Sequence, residues 1–274
     1  MKLAFSSNAF RRYTLADAIR IIASAGFQGI EIMADVPHAY PPHLSDNDIL
    51  EILRTLEENR LEISNINAFM LHAIGDTYHP SWTEKDPVLR QMRVEYTLGC
   101  IDLANRLGAA TLSTEPGGPM TGGSRQEELR LFFDGLEKMK PRAQTKGVRI
   151  LIEPEPGLLI ENSREFREFF QWLDPAVFGL NFDIGHFFCV GEDPVRLIRE
   201  LKECIHHFHL EDIAASREHH HLMPGQGAID LPRVLEAIDS IGYSGFVTVE
   251  LYTYEDHAQE ATEQAFAYLQ RIMP

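Results

Sequence analysis

The amino-acid sequence predicts one α/β domain, a (β/α)8 TIM barrel that spans residues 1–274. Eight short apolar segments alternate with longer segments whose apolar residues recur every three or four positions, the spacing of amphipathic helices. No segment rich in Gly, Pro or Ser divides the chain, and its length is typical of a barrel with one core. The predicted strands are KLAFSS, GIEIMA, LEISNIN, AATLSTEP, VRILIEP, FGLNFDIG, IHHFHLED and GFVTVEL.

The helices between these strands begin and end at recognisable residues. Thr14 precedes the first helix, Asp17 stands three positions later as in a capping box, and Gly26 ends the helix. Segments DNDILEILRTLEENR and EELRLFFDGLEKMK are typical of later helices, because their apolar residues fall on one helical face. Residue types that tolerate a left-handed turn precede further strands, namely Asn59, Gly108, Gly147 and Gly242.

A doubly wound open sheet is the second interpretation of the same alternation. Its nucleotide-binding members carry a Gly-rich loop, and no GxGxxG or GxxxxGK(S/T) motif follows any predicted strand. The glycine-rich segment EPGGPMTGGS lacks the lysine of a phosphate-binding loop, so we interpret it as a flexible lip of the barrel. We therefore favour the closed barrel, in which the carboxyl ends of all the strands share one mouth.

The composition argues against several classes of partner. A net charge of −16 disfavours nucleic acid, because binding to a phosphate backbone depends on clustered Lys and Arg. No apolar run has the length that crosses a membrane, and no signal-like run develops near the first residues. Three cysteines without CxxC spacing are typical of reduced thiols, so we expect a cytoplasmic protein. A homo-oligomer is compatible with these observations.

Four residues with metal-binding side chains stand at the ends of four consecutive predicted strands. Glu153 closes VRILIEP, Asp183 lies in FGLNFDIGH, His209 lies in IHHFHLED, and Glu250 closes GFVTVEL. If these strands are parallel neighbours in one barrel, their carboxyl ends bring the four side chains together. Oxygen and imidazole donors without thiolates suit one divalent ion, either Mn²⁺, Mg²⁺ or Co²⁺, with Zn²⁺ as a further candidate. The sequence therefore predicts a metal-assisted enzyme.

The histidines near these predicted ligands fall into two groups. His186 completes a DxxH turn that begins at Asp183, and its imidazole is expected in the same cleft. His207 shares a strand face with His209 and His206 has the opposite face, because side chains alternate along a strand. Since metal ligands cluster at strand ends, we predict that His206 and His207 are hydrogen-bonded structural residues.

The segments around these residues resemble the xylose-isomerase-like TIM-barrel superfamily over nearly the whole chain. The resemblance is to its sugar phosphate isomerase/epimerase branch, which includes the ketose 3-epimerases. The matching segments are LIEP, NFDIGH, HFHLED, PGQGAIDL and VTVEL. The resemblance implies a metal ion held by Glu153, Asp183, His209 and Glu250, with Glu153 and Glu250 also acting as acid and base. It further implies that His186 contacts substrate oxygens.

The same resemblance implies a metal-dependent isomerase or epimerase of a sugar, keto-sugar or related polyol. The expected route is proton transfer through a metal-stabilised enediolate. A dehydratase that acts on a polyol ketone is the alternative, because the same chemistry can expel a β-hydroxyl group. A phosphodiesterase is less favoured. Apurinic endonuclease family 2 is a more distant relative, but its three-metal site needs a D-R-H triplet, and this position reads His219-His220-His221 here.

Further residues are candidates for contact with a small carbohydrate-like substrate. The epimerases often place an arginine after the metal-binding histidine, and here an arginine or one histidine of the tract 219–221 takes this position. An aromatic residue in the loop after the third strand suits a sugar face. Loop packing or surface exposure is the alternative for each of these residues. The substrate-binding candidates beyond His186 are His72, Trp82, Glu115, Arg217 and His221.

Overall fold

The computed structural model describes residues 1–71 and 77–274, in which eight parallel strands close into a barrel. Each strand pairs with the next, and β8 pairs with β1, where Phe5 lies opposite Val249. The predicted (β/α)8 fold is therefore confirmed. The strands are β1 (Lys2–Ser6), β2 (Gly29–Met33), β3 (Glu62–Asn67), β4 (Thr111–Thr114), β5 (Arg149–Ile152), β6 (Phe178–Asp183), β7 (Ile205–Leu210) and β8 (Phe246–Val249).

Helices connect the strands and cover the outside of the barrel. They are α1 (Leu15–Ala25), α2 (Asp46–Asn59), α3 (Pro87–Leu107), α4 (Arg125–Lys146), α5 (Ser163–Phe170), α6 (Ile184–Cys189), α7 (Pro194–Leu201), α8 (Leu231–Ser240) and α9 (Ala258–Ile272). Short 3-10 turns, Ser7–Phe10 and Tyr252–His257, follow β1 and β8. Within the described ranges, none of the helices combines the length and the apolar character that a membrane crossing requires.

The helix ends follow the sequence signals with one exception. Thr14 Oγ1 accepts a hydrogen bond from Asp17 N over 3.1 Å at the start of α1, and Gly26 ends this helix with a φ of 109°. Helix α2 continues through Asn59, and Arg60 takes the left-handed conformation with a φ of 54°. The Asn59 amide donates to a carbonyl oxygen one turn earlier over 2.7 Å. This side chain therefore stabilises the last helical turn, and the break falls one residue later than predicted.

Apolar side chains fill the layer between the strands and the helices. Ile19 of α1, Phe132 of α4 and Phe166 of α5 are completely buried in this layer. Burial of a side chain of this size contributes about 1.5–3 kcal/mol to stability. Because the layer surrounds the barrel, the eight strands have a rigid outer support that needs no metal ion.

The interior of the barrel is polar toward the carboxyl ends of the strands. Glu31 of β2, Asn65 of β3 and His207 of β7 are buried there. Asn65 Nδ2 donates to Glu31 Oε2 over 2.9 Å, and Thr248 Oγ1 lies 2.8 Å from His207 Nε2. These hydrogen bonds offset the cost of removing polar groups from water. His207 is thus a hydrogen-bonded structural residue, and the polar layer supports the side chains at the mouth above it.

Candidate metal centre and substrate pocket

The four predicted metal ligands meet at the mouth of the barrel. Asp183 ends β6 and lies opposite His209 of β7 in the parallel register, while Glu153 and Glu250 directly follow β5 and β8. All four are buried, and one donor atom from each lies within 4.8 Å of the donor atoms of the others. Parallel register alone carries these side chains to one edge of the sheet. The structure thus brings together four residues that are distant from one another in sequence.

The imidazole of His209 lies at the centre of this cluster. Its Nδ1 atom is 2.9 Å from Glu153 Oε1 and 3.7 Å from both Asp183 Oδ2 and Glu250 Oε1. Three carboxylates at this spacing repel one another when water is excluded, and a divalent cation would relieve the repulsion. Asp183 Oδ2 has no hydrogen-bond partner within the described ranges, which leaves its lone pairs for a cation. The donor set therefore fits a divalent ion.

Glu31 is a fifth residue of this centre, and the sequence analysis missed it. Its Oε2 atom lies 2.8 Å from His209 Nε2, and its Oε1 atom accepts a hydrogen bond from Ser6 Oγ over 2.8 Å. With Nε2 donating to Glu31, the imidazole directs Nδ1 at the three carboxylates, as ligand histidines in metal sites do. The available signal was a glutamate inside the apolar segment GIEIMA, because a charge there is costly to bury without a partner.

The charges of the cluster shift its pKa values in different directions. Burial lowers the pKa of His209, but the carboxylates of Glu153, Glu31 and Glu250 outweigh burial and raise this pKa well above its usual value. Burial raises the pKa of Glu250 well above the ordinary range, against the opposing charge of His209. Burial also acts to raise the pKa of Asp183, but neighbouring histidines outweigh it and lower this pKa. Cation binding at the cluster should therefore release protons.

A cavity of about 430 Å³ opens above the cluster, and Glu153 and Glu250 both line it. A volume of this order encloses a small molecule. Met33 and Phe69 form apolar parts of its wall, and polar side chains form the remainder. The cavity thus offers both C–H contacts and hydrogen bonds beside the candidate metal ligands.

His186 lies in this cavity, where the sequence predicted a substrate contact. Helix α6 begins directly after Asp183, whose Oδ1 atom accepts a hydrogen bond from His186 N over 2.7 Å. His186 Nδ1 lies 2.9 Å from Pro154 O, and a carbonyl oxygen can only accept. The proton on Nδ1 is therefore fixed, and Nε2, 3.6 Å from Asp183 Oδ2, is the nitrogen that remains near the metal centre.

The histidine tract 219–221 divides between the cavity and the surface. His221 is buried, and its Nδ1 lies 3.0 Å from the main-chain oxygen of Glu250. His219 packs edge-on against His186 with ring centroids 4.6 Å apart, and both line the cavity with His221. These three histidines form a second cluster of donor atoms within 4.8 Å. Within the tract only His220 is exposed, as the alternative of a surface histidine tract would require of all three residues.

Asp212 holds the loop that carries this tract. Its carboxylate accepts hydrogen bonds from the N–H groups of Gly225, Gly227 and Ile229 over 3.0, 2.8 and 3.1 Å. A short antiparallel bridge pairs its main chain with Leu222. A Cβ atom at Gly227 would lie 2.2 Å from Asp212 Oδ1, so the segment PGQGAIDL needs glycine at this position. The ordered loop places two of the three histidines in the cavity.

Trp82, which we expected to face a substrate, does not line the cavity of the described chain. The indole is 1% exposed and its Nε1 donates to Thr114 Oγ1 over 3.1 Å. A Cβ atom at Gly135 of α4 would lie 2.6 Å from the indole ring, so the ring occupies the apolar layer between β4 and α4. Packing of a large aromatic residue against a glycine decided its position, and the sequence of the loop alone did not reveal this partner.

Glu115 and Arg217 also stand away from the cavity lining of the described chain. Glu115 is fully buried beside Arg93, whose Nη2 atom is 3.5 Å from Glu115 Oε1. Arg217 is exposed, its Nη1 donates to Phe188 O over 2.8 Å, and its guanidinium lies over the Phe188 ring. Neither residue therefore lines the cavity, and the substrate contacts expected of them stay predictions. The remaining candidate, His72, lies outside the described residues.

Glu155 and Tyr78 line the cavity although the sequence analysis did not select them. Tyr78 OH donates to Glu155 Oε1 over 2.9 Å. Burial raises the pKa of Glu155 to about 7, against the opposing charge of His186. The second glutamate of the EPEP segment was the available signal, because it follows the predicted ligand Glu153 by two residues.

Known proteins share this fold. The chain is 25% identical over 267 residues to an inosose dehydratase of Clostridium beijerinckii. The aligned region covers 86% of this chain and 82% of that protein. The IOLI protein with a bound zinc atom superimposes with a TM-score of 0.82 at 21% identity, over 99% of this chain and 98% of that one. A D-tagatose 3-epimerase-like protein gives a TM-score of 0.79 at 22% identity over 99% of both chains. The xylose isomerase-like TIM barrel model matches residues 19–272, so the chain belongs to this family.

Proposed function

We propose that this protein is a metal-dependent isomerase or epimerase of a sugar, a keto-sugar or a related polyol. The observation that carries the proposal is the position of Glu153 and Glu250. Both belong to the four-residue candidate metal cluster, and both line the cavity. The two carboxylates therefore have access to a bound molecule and to its reacting carbon.

Glu153, Asp183, His209 and Glu250 would hold one divalent ion. When bound, such an ion polarises a substrate carbonyl and a neighbouring hydroxyl group and so acidifies the adjacent C–H bond. The oxygen-rich donor set supports Mn²⁺, Mg²⁺ or Co²⁺. The zinc atom in the IOLI protein supports Zn²⁺ as a further candidate.

The two glutamates would move the proton. They follow β5 and β8, on either side of the strands that carry Asp183 and His209. One carboxylate takes the proton from the carbon beside the carbonyl, and the other returns a proton to the neighbouring carbon or to the opposite face. The raised pKa of Glu250, caused by burial, supports its role as the residue that delivers a proton.

His186 and His221 would position the substrate oxygens. Both are buried and line the cavity, and both have Nδ1 near a main-chain carbonyl oxygen, at 2.9 Å for His186 and 3.0 Å for His221. This arrangement leaves Nε2 of His186 for the bound molecule, and Nε2 of His221 lies 3.3 Å from Nε2 of His219, beside the same cavity. Fixed rings of this kind reduce the entropy that is lost when a substrate is oriented.

A dehydratase of a polyol ketone is the second candidate, supported by the inosose dehydratase similarity. Glu155 provides a specific reason for this alternative. Its carboxyl group has a pKa raised to about 7 by burial, and it lines the same cavity as the two proposed bases. After a base removes the proton beside the carbonyl, Glu155 would protonate the departing β-hydroxyl group, which leaves as water.

Product analysis in D₂O tests both candidates. The protein, loaded in turn with Mn²⁺, Co²⁺ and Zn²⁺, is incubated with unphosphorylated ketohexoses and with an inosose. We expect an isomeric product with deuterium on the carbon beside the carbonyl, because proton abstraction exposes this position to solvent. Loss of one water from the product identifies the dehydratase. Isomerisation without deuterium, or no turnover with any metal and ketone, would contradict the proton-transfer proposal.

We place this reaction in the cytoplasm. Cys100, Cys189 and Cys204 are free cysteines in the structure, which supports a reducing compartment. Fractionation of cells that express the protein, with detection by antibody, tests this location. Recovery in an oxidising compartment with a cysteine disulfide would contradict it.

A further inference from the structure

The candidate metal ligands occupy only one half of the barrel mouth. They lie at or near the carboxyl ends of β5, β6, β7 and β8, whereas β1 and β2 lie across the closed barrel from β5 and β6. The segments after β1 and β2 bring Asn8, Asp35 and His38 to the same cavity. A molecule that reacts beside the ligands therefore extends its other end toward these three residues.

Among the described residues, each of these three has a polar atom for which no hydrogen-bond partner is found. The atoms are Asn8 Oδ1, Asp35 Oδ2 and His38 Nδ1, and no partner for them is found in residues 1–71 and 77–274. The three residues are 3%, 2% and 8% exposed. A buried polar atom without a partner destabilises the folded state, so three in one wall are unusual unless a ligand satisfies them.

The unpartnered atoms have the chemistry of hydrogen-bond acceptors. Asn8 Oδ1 is an amide oxygen. His38 Nε2 lies 3.1 Å from Phe10 O, which only accepts, so Nε2 carries the proton and Nδ1 has a free lone pair. Burial lowers the pKa of His38 to about 4, which keeps the ring neutral. Such a group of acceptors requires a ligand with several donors, and hydroxyl groups provide them.

Asp35 adds an acid that can donate or accept. Burial raises its pKa to about 7, against the opposing charge of Arg11. A hydroxyl group matches either state of this carboxyl group, because it is both a donor and an acceptor. A phosphate group matches poorly, because its oxygens are acceptors and its charge would face Asp35.

Arg11, the arginine among the described residues of this wall, does not reverse this preference. Arg11 lines the cavity, but its Nη2 atom is 2.6 Å from Glu255 Oε2. The positive charge of Arg11 is therefore balanced by Glu255, and it also attracts the carboxyl group of Asp35. A phosphate monoester at this end would compete with two carboxyl groups for one guanidinium.

We infer that Asn8, Asp35 and His38 form a subsite that selects the hydroxyl groups at the unreacting end of an unphosphorylated polyol ketone. Met33 and Phe69 supply the apolar wall beside them, which suits the C–H edges of such a molecule. The inference rests on the proposed function for the carbonyl end of the substrate. The subsite itself recognises hydroxyl groups, and so its binding is measurable without a reaction.

Calorimetry with inositol and inositol monophosphate tests the subsite, because neither compound has a carbonyl group and neither can react. The Mn²⁺-loaded protein should bind inositol at least tenfold more tightly than the monophosphate. The Asp35→Ala and Asn8→Ala variants should each bind inositol about tenfold more weakly, because each loses a hydrogen bond in a buried site. Asp134→Asn, on the exposed face of α4, is the matched control and should bind inositol as the wild type does.

Thermal unfolding separates ligand recognition from a structural role. Removal of a buried carboxyl group whose Oδ2 atom has no partner in the described ranges should leave the melting temperature of Asp35→Ala unchanged or raise it, whereas a structural role predicts a decrease. Bound metal, measured by elemental analysis, should stay the same in both variants.

Equal or tighter binding of the monophosphate would overturn the subsite, as would unchanged inositol binding in both variants. No heat of binding with the wild type would also overturn it. Selective inositol binding without turnover of any ketone would leave the subsite intact and contradict the proposed function.

Discussion

The carboxylate of Glu31 lies 2.8 Å from His209 Nε2, although 178 positions separate the two residues in the chain. Burial acts to raise the pKa of Glu31, but the charge of His209 outweighs it and lowers this pKa to about 2. Glu31 is thus an anion that accepts a hydrogen bond from His209 Nε2–H. This hydrogen bond turns Nδ1 toward Glu153, Asp183 and Glu250. A residue from β2 therefore orients a candidate ligand on β7, across the interior of the barrel.

We expect Glu31→Gln to weaken the affinity for a divalent ion by about 10–100-fold, because the neutral amide no longer fixes the tautomer of His209. Competition between the protein and a fluorescent chelator measures this affinity. Glu115→Gln is the matched control, since Glu115 is also a buried glutamate at the mouth but does not belong to the cluster. Equal metal affinity in wild type and Glu31→Gln would show that Glu31 does not support the site.

One divalent ion should bind per chain, through Glu153, Asp183, His209 and Glu250. Elemental analysis after reconstitution should show that a combined Asp183→Ala and His209→Ala variant loses this ion, because two of the four donors are removed. His219→Ala should retain it, since His219 belongs only to the second cluster. Two or more ions per chain would instead favour the phosphodiesterase alternative.

Removal of the metal should abolish activity and leave the barrel folded. The apolar layer between strands and helices forms without the ion, unlike the core of a small zinc domain. Circular dichroism before and after EDTA treatment should therefore give the same folded spectrum, and added Mn²⁺ should restore turnover. Unfolding on chelation would mean that the ion has a structural role.

The Glu250→Gln variant should lose about 10²–10⁴-fold in turnover, since an amide cannot transfer the proton. The carboxylate also belongs to the metal cluster, so kcat must be measured at saturating Mn²⁺ with bound metal determined on the same sample. A metal-replete variant that keeps turnover within a few-fold of the wild type would exclude Glu250 as acid or base.

Stability should depend on pH through Glu115. Burial raises the pKa of Glu115 from 4.5 to about 7, against the opposing charge of Arg93. The folded state therefore holds this proton more tightly than the unfolded state does. The stabilisation of the folded state that comes from this proton is fully present below about pH 4.5 and is lost as pH rises through about 7.

Between these pH values, the free energy of unfolding of the wild type should fall relative to that of Glu115→Gln, by about 3 kcal/mol at most. Urea unfolding at a series of pH values measures this difference. The exposed substitution Asp134→Asn should follow the wild-type profile. Parallel profiles for wild type and Glu115→Gln would show that Glu115 does not titrate in this range.

The sequence determined the fold because its signals are local. The apolar strand segments, the cap at Thr14 and the glycine at Gly26 each act within a few residues of the chain. The convergence of Glu153, Asp183, His209 and Glu250 was also predictable, since side chains at the carboxyl ends of barrel strands share one mouth. His186 followed from its fixed offset to Asp183 in the DxxH turn.

Only the tertiary structure decided which loop residues reach the cavity. Trp82 turned outward onto Gly135, and Arg217 bound Phe188, because partners distant in sequence offered better packing or hydrogen bonds. Asp35, in the segment after β2, turned inward to the cavity, although no local pattern marks it as a site residue. A strand fixes the direction of its side chains by alternation, whereas the direction of a loop side chain depends on contacts that form only when the barrel closes.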